Sequence, residues 1–170
     1  MAAIYSGRVI RIQDIRRAPK SNVDWGSWDS GTMPRSAFPL SKPRNRAFRL
    51  GSYRWRIIRF SALSLSFRLL IAFHAQKEQY RATLALEHER DLSVLASYEF
   101  HGTHPGWHLL AACGDVQSVP KGMMRGPWQS RFPQGRNFHR KIDFSITSEE
   151  KALDCAARYF RLHKSKDVLL

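Results

Sequence analysis

Cysteine is nearly absent from this chain. Cys113 and Cys155 stand alone and far apart, with no C-x-x-C. That excludes a disulfide framework and the usual zinc ribbons and fingers. Two such thiols read as small buried residues in a reducing compartment. H-E-x-x-H is also missing, as is any internal repeat. So is a long apolar run: Ala62 to Phe73 is about a dozen residues interrupted by Arg68, whereas a membrane-spanning helix needs about 20. The first residues, MAAIYSGRVIRIQDIRR, carry charge too early for a secretory signal. The expectation is a soluble, cytoplasmic chain, or an organellar one if residues 1–50 are a transit peptide.

Acid is scarce as well. Fourteen Asp and Glu face 28 Lys and Arg, most of them arginine, and the formal net charge is +14. A surplus of that size implies an anionic partner, either RNA or single-stranded nucleic acid or an acidic protein surface. Arginine offers phosphate a fixed two-pronged fork that lysine lacks. The charge is uneven. Residues 1–66 hold 13 basic and 3 acidic side chains; residues 67–170 hold 15 and 11.

SNVDWGSWDSGTMPRSAFPLSKPRNR, near the start, has neither helical nor strand periodicity. Residues 1–50 therefore read as a basic, poorly ordered extension, and residues 51–170 as one domain. The extension suits a nucleic-acid-binding arm or a transit peptide, or else sequence lying upstream of a start at Met33.

From residue 52 the pattern changes. FRLLIAFHA, YRATLALEH and LSVLASYEFH alternate with a period of two; WHLLAAC follows them, all four joined by short turns, and SYRWRIIRF suits a preceding strand. This predicts an antiparallel meander of four to five strands. KIDFSI reads as a further short strand. TSEEKALDCAARYFRL places Ala152, Leu153, Cys155, Ala156, Tyr159 and Phe160 on one stripe, with Thr147 as N-cap and Glu150 three residues on. The fold class is α+β, with this helix covering the sheet face made by Phe67, Leu69, Ile71, Phe73, Leu84, Leu86, Val94 and Tyr98.

YEFHGTHPGWH (98–108) holds three of the seven histidines. Gly102, Pro105 and Gly106 exclude a helix that would align His101, His104 and His108, and His104-Pro105-Gly106-Trp107 suits a turn. Neither metal nor cofactor is expected. If the hairpin pairs Phe100 with Trp107, then Glu99, His101 and His108 share the face away from the helix, with Arg81 and Arg68 on neighbouring strands. Carboxylate, imidazole and guanidinium on one face are the parts of a metal-independent ribonuclease. They are equally the ordinary polar side of an antiparallel sheet.

SVPKGMMRGPWQSRFPQGRNFHRK (118–141) contains no acid. It interleaves Lys121, Arg125, Arg131, Arg136 and Arg140 with Trp128, Phe132 and Phe138. Cations spaced by rings suit single-stranded nucleic acid, phosphate on guanidinium and base on ring. The same loop could equally pack its rings onto the sheet. The leading expectation is nucleic-acid binding by this loop and the sheet face. The ribonuclease is the first alternative, and an interaction module for an acidic protein the second.

Overall fold

The structure is a computed structural model. It describes residues 7–42, 51–101, 104–133 and 144–163, without the side chains of His104 and Pro105. Five long strands form the meander: β3 (Arg54–Ala62), β4 (Leu65–His74), β5 (Gln79–Glu87), β6 (Leu92–His101) and β7 (His104–Ala112). The antiparallel sheet is larger than the four to five strands expected. β1 (Ser21–Asp24) and β2 (Asp29–Ser30) pair with β3, and β8 (Gln129–Phe132) pairs with β7, giving eight strands in the order β1-β3-β4-β5-β6-β7-β8 with β2 beside β3. These three strands run two to four residues, too short for period-two alternation to show in sequence. The strand expected at KIDFSI is not formed at residues 144–146; its first three residues lie outside the described ones.

Helix α1 (Ile12–Arg17) and helix α2 (Glu149–Phe160) cover one face. The N-cap of α2 is Ser148, not Thr147: its hydroxyl accepts from the amide of Lys151. Both residues can cap, and Ser148 alone leaves the hydroxyl three residues from that orphan amide. Ala152, Ala156 and Phe160 press onto Phe67, Leu69, Ile71 and Leu84, and the Tyr80 hydroxyl donates to the Ala152 carbonyl at 3.0 Å.

Residues 10–40 are integral to the fold, in contrast to the poorly ordered extension expected. Ile10, Ile12 and Ile15 are buried in the helix-side core. Met33, Phe38 and Leu40 are buried on the other face, over Trp55, Leu70, Ala72, Ala85, Leu92 and Val94. β4 and β5 are consequently apolar on both sides for much of their length, as strands enclosed by two layers must be. Arg68 fastens this second layer. It pairs with Glu87 and donates through Nη1 to the carbonyls of Ser36 and Ala37, at 2.7 and 2.8 Å.

Val94 faces the second layer, not α2. Leu84 pairs with Ala96 while Ala85 pairs with Val94, so Leu95 is an extra residue in β6. Such a bulge inverts the in–out alternation of everything before it. Leu92 and Val94 therefore face one way, and Ala96, Tyr98 and Phe100 the other.

Candidate anionic-ligand site on the sheet

Beyond the bulge, β6 points Ser97, Glu99 and His101 to the face away from α2. The hairpin register is the expected one: Phe100 pairs with Trp107 and Glu99 with His108, while Arg81 pairs with Glu99 from the other side. Paired residues in a sheet share a face. Arg81, Glu99 and His108 thus lie in one cross-strand row, and Thr83, Ser97, Leu110 and Arg131 form the next.

Glu99 is the centre of the cluster and is 2 % exposed. Arg125 Nη2 reaches Oε1 at 2.9 Å and Oε2 at 2.8 Å. Arg81 Nε lies 3.3 Å from Oε1, and His108 Nε2 lies 3.4 Å from Oε2. Ser97 donates to Oε1 at 2.7 Å. Its single proton is thereby used, so in the 2.8 Å contact with Ser97 the donor is Thr83. Burial alone would push the Glu99 carboxyl up. The hydrogen bond from His108, the charges of Arg81 and Arg125 and the Ser97 hydroxyl outweigh it and hold the group down at about 2. Burial in turn lowers the pKa of Arg81, against the opposing pull of Glu99.

A carboxylate accepting from four side chains is an ionised anchor and a poor proton acceptor. The cluster around it carries more positive than negative charge. Arg81 and Arg125 remain about one third and one half exposed. His101 sits beside His108, ring centres 4.9 Å apart and planes at 89°. His108 is 4 % exposed, and among the described residues its Nδ1 has no hydrogen-bond partner.

The other residues singled out in sequence fare differently. Arg68 is occupied by Glu87 and two backbone carbonyls. Trp128 is half-buried and packs against the core, with Nε1 3.4 Å from the Val94 carbonyl. Its ring lies so close over Gly126 that a Cβ there would come within 1.8 Å of it, so residue 126 must be glycine. These two residues hold the fold and are poorly disposed to take phosphate or stack on a base. Lys121 is exposed at the far end of the sheet, near His88. Arg131 and Phe132 are exposed on the edge strand β8, Arg131 on the Glu99 side. Arg136, Phe138 and Arg140 lie outside the described residues.

Sequence reasoning missed Ser97 as a partner of Glu99, and Thr83 as the donor behind Ser97, although Ser97 stands two residues before Glu99 in a strand and so on its face. It also missed an aromatic ladder on the helix side. Tyr159 stacks on Tyr98 at 4.2 Å, Tyr98 on Trp107 at 4.9 Å, and the Arg16 guanidinium lies 4.6 Å above the Tyr159 ring. The ladder lines an open cleft of about 640 Å³ together with Lys151 and Arg158. Its faces are taken up by one another and by Arg16, which makes it packing first.

No helix among the described residues is long and apolar enough to cross a membrane. No protein-family model matches the chain, and neither a curated protein nor a solved structure is significantly similar to it.

Proposed function

We propose that the protein binds single-stranded nucleic acid, RNA foremost, with phosphates drawn to the side of the sheet that carries Arg81, Arg125 and Arg131. One observation supports this most directly. A single buried carboxylate, Glu99, is shared by two partly exposed guanidiniums, so one positive charge is left over, and Arg131 adds another on the same face. Guanidiniums held in place by a buried anion lose little freedom on meeting phosphate. The overall charge of +14 would speed encounter with any polyanion.

The ribonuclease reading asks Glu99 or His108 to accept the proton of a ribose hydroxyl. Glu99 is held near a pKa of 2 with both oxygens occupied, and His108 is buried. The geometry favours binding over cleavage.

The test is fluorescence anisotropy of a labelled single-stranded RNA across a salt series. The parent should bind more weakly as salt rises. Arg131→Ala should flatten the log–log slope by roughly 0.7, the value for one phosphate contact on a single strand. Binding that ignores salt, or no binding, would defeat this reading and favour an acidic protein partner. A gel run in EDTA should show intact RNA. Cleavage there, lost in His108→Ala, would put the ribonuclease first.

A further inference from the structure

The geometry points to a binding site for one divalent transition-metal ion between His101 and His108, with Glu99 as the carboxylate that orients His108. The inference is independent of nucleic-acid binding and revises the metal-free expectation from sequence. That expectation rested on the lack of a known zinc spacing, the lack of cysteine partners near the histidines and a loop unable to form a helix. The hairpin brings the two rings together without one, because the strand register places His101 two residues beyond Glu99 and His108 directly opposite Glu99.

Two observations carry it. First, Glu99, His101 and His108 converge: a carboxylate oxygen and one ring nitrogen of each histidine, Nδ1 or Nε2, lie within 4.8 Å of one another. The imidazole centres are 4.9 Å apart. With metal–nitrogen bonds of about 2.0–2.1 Å, two rings on one tetrahedral ion have centres roughly 5 Å apart. Second, the His108 ring has a defined polarity. Nε2 faces the Glu99 carboxylate at 3.4 Å, and a carboxylate only accepts, so Nε2 carries a proton. In the neutral ring Nδ1 then offers a lone pair. It is buried, and among the described residues nothing donates to it. A buried acceptor left alone carries an uncompensated desolvation cost. A cation on that lone pair removes the cost.

Carboxylate–imidazole–metal is a recurrent arrangement in which the outer carboxylate fixes the tautomer and raises ligand basicity. Glu99 suits this outer role better than direct ligation, since Arg81, Arg125 and Ser97 already occupy its oxygens. The two arginines also raise the local positive potential. The ion's remaining coordination positions are therefore suited to anionic oxygen or water. Imidazole donors without thiolate select zinc, cobalt, nickel or copper over magnesium and calcium.

The experiment uses the full chain without a polyhistidine tag. It is dialysed against Zn²⁺ and analysed for retained metal; Co²⁺ is titrated in parallel and read by its visible absorption. About one ion per chain is expected. His101→Gln and His108→Gln should each weaken binding at least ~10-fold, and Glu99→Gln by roughly 10–100-fold. His88→Gln, whose ring is engaged with Ser93, should bind as the parent does. Should His108→Gln unfold, the half-exposed His101 decides the matter. Ring ¹⁵N spectra of the parent add a second readout: zinc should shift the His108 Nδ1 resonance and leave the His88 ring unmoved. No retained metal, retention equal in His101→Gln, or an unshifted His108 Nδ1 would each overturn the site.

Discussion

Arg68 on β4 and Ala37 in the second layer are joined by a hydrogen bond of 2.8 Å, Nη1 to carbonyl oxygen, and the same nitrogen also serves Ser36. This fork holds a turn with no strand or helix of its own against the sheet. Arg68→Ala should cost about 1–3 kcal/mol, because two carbonyls and Glu87 lose their donor together. In a chain of this size that is a fall in melting temperature of about 2–4 °C per kcal/mol. Limited proteolysis should at the same time begin to cut within residues 33–42. An unchanged melt with an unchanged cleavage pattern would show that the apolar contacts of Phe38 and Leu40 hold the layer by themselves.

Deleting residues 1–32 should lower the melting temperature by about 10 °C or more. The deletion removes Ile10, Ile12 and Ile15, all buried, and large-to-small changes at such sites cost about 2–5 kcal/mol each. Calorimetry of the truncated chain decides it. A melt near that of the parent would mean that the helix-side core closes without α1.

Phe160 is 1 % exposed at the end of α2. Phe160→Ala should destabilise by about 3–5 kcal/mol in urea unfolding, through lost burial and the cavity it leaves. The slope of the transition should be nearly unaltered.

Acid should weaken the protein through Glu99. Its folded pKa of about 2 lies below the ordinary carboxyl value of 4.5, so the folded state holds the proton less readily than the unfolded chain. The stabilisation is present above pH 4.5 and is lost as pH falls toward 2. Integrated over that window it is on the order of 3 kcal/mol. In Glu99→Gln the stability between pH 4.5 and pH 2 should depend less on pH, while stability at pH 7 is lower because Arg81 and Arg125 lose their shared anion. An identical acid profile for parent and variant would remove Glu99 as its source.

The meander was legible because its strands run nine or ten residues, carry large apolar residues at every second position over much of their length and are separated by short polar turns. The pairing of Phe100 with Trp107, supposed in the sequence, is the one formed, although His104 to Gly106 belong to β7 and not to a turn. The cluster of Glu99, His101, His108 and Arg81 came with that register. Val94 was not legible: the bulge at Leu95 leaves no mark in composition. Residues 10–40 were not legible for a different reason. Met33, Phe38 and Leu40 follow no single period, the first interval being five residues and the second two, since they belong to an irregular layer whose apolar anchors are set by the sheet beneath. The fates of Arg68 and Arg125 were hidden too. In the sequence an arginine looks the same whether it meets phosphate or its own chain's carboxylate.

The second layer has a consequence for the order in which the protein forms during synthesis. Ser41 is held by Asp91, through its amide at 3.2 Å and its hydroxyl at 2.5 Å, and Lys42 by the carbonyl of Gly122. Fifty residues separate Ser41 from Asp91. At roughly 5–20 residues per second, a ribosome takes several seconds to make that interval. Throughout it, Phe38 and Leu40 have left the ribosome's catalytic centre while the sheet they will cover is still incomplete, since Leu92 and Val94 come last. The proline and lysine that flank them, Pro39 and Lys42, are residue types that keep a waiting apolar segment from pairing with other chains. Closure of the layer is therefore a late step, and a nascent chain arrested before residue 91 should be bound by chaperones that recognise extended apolar segments.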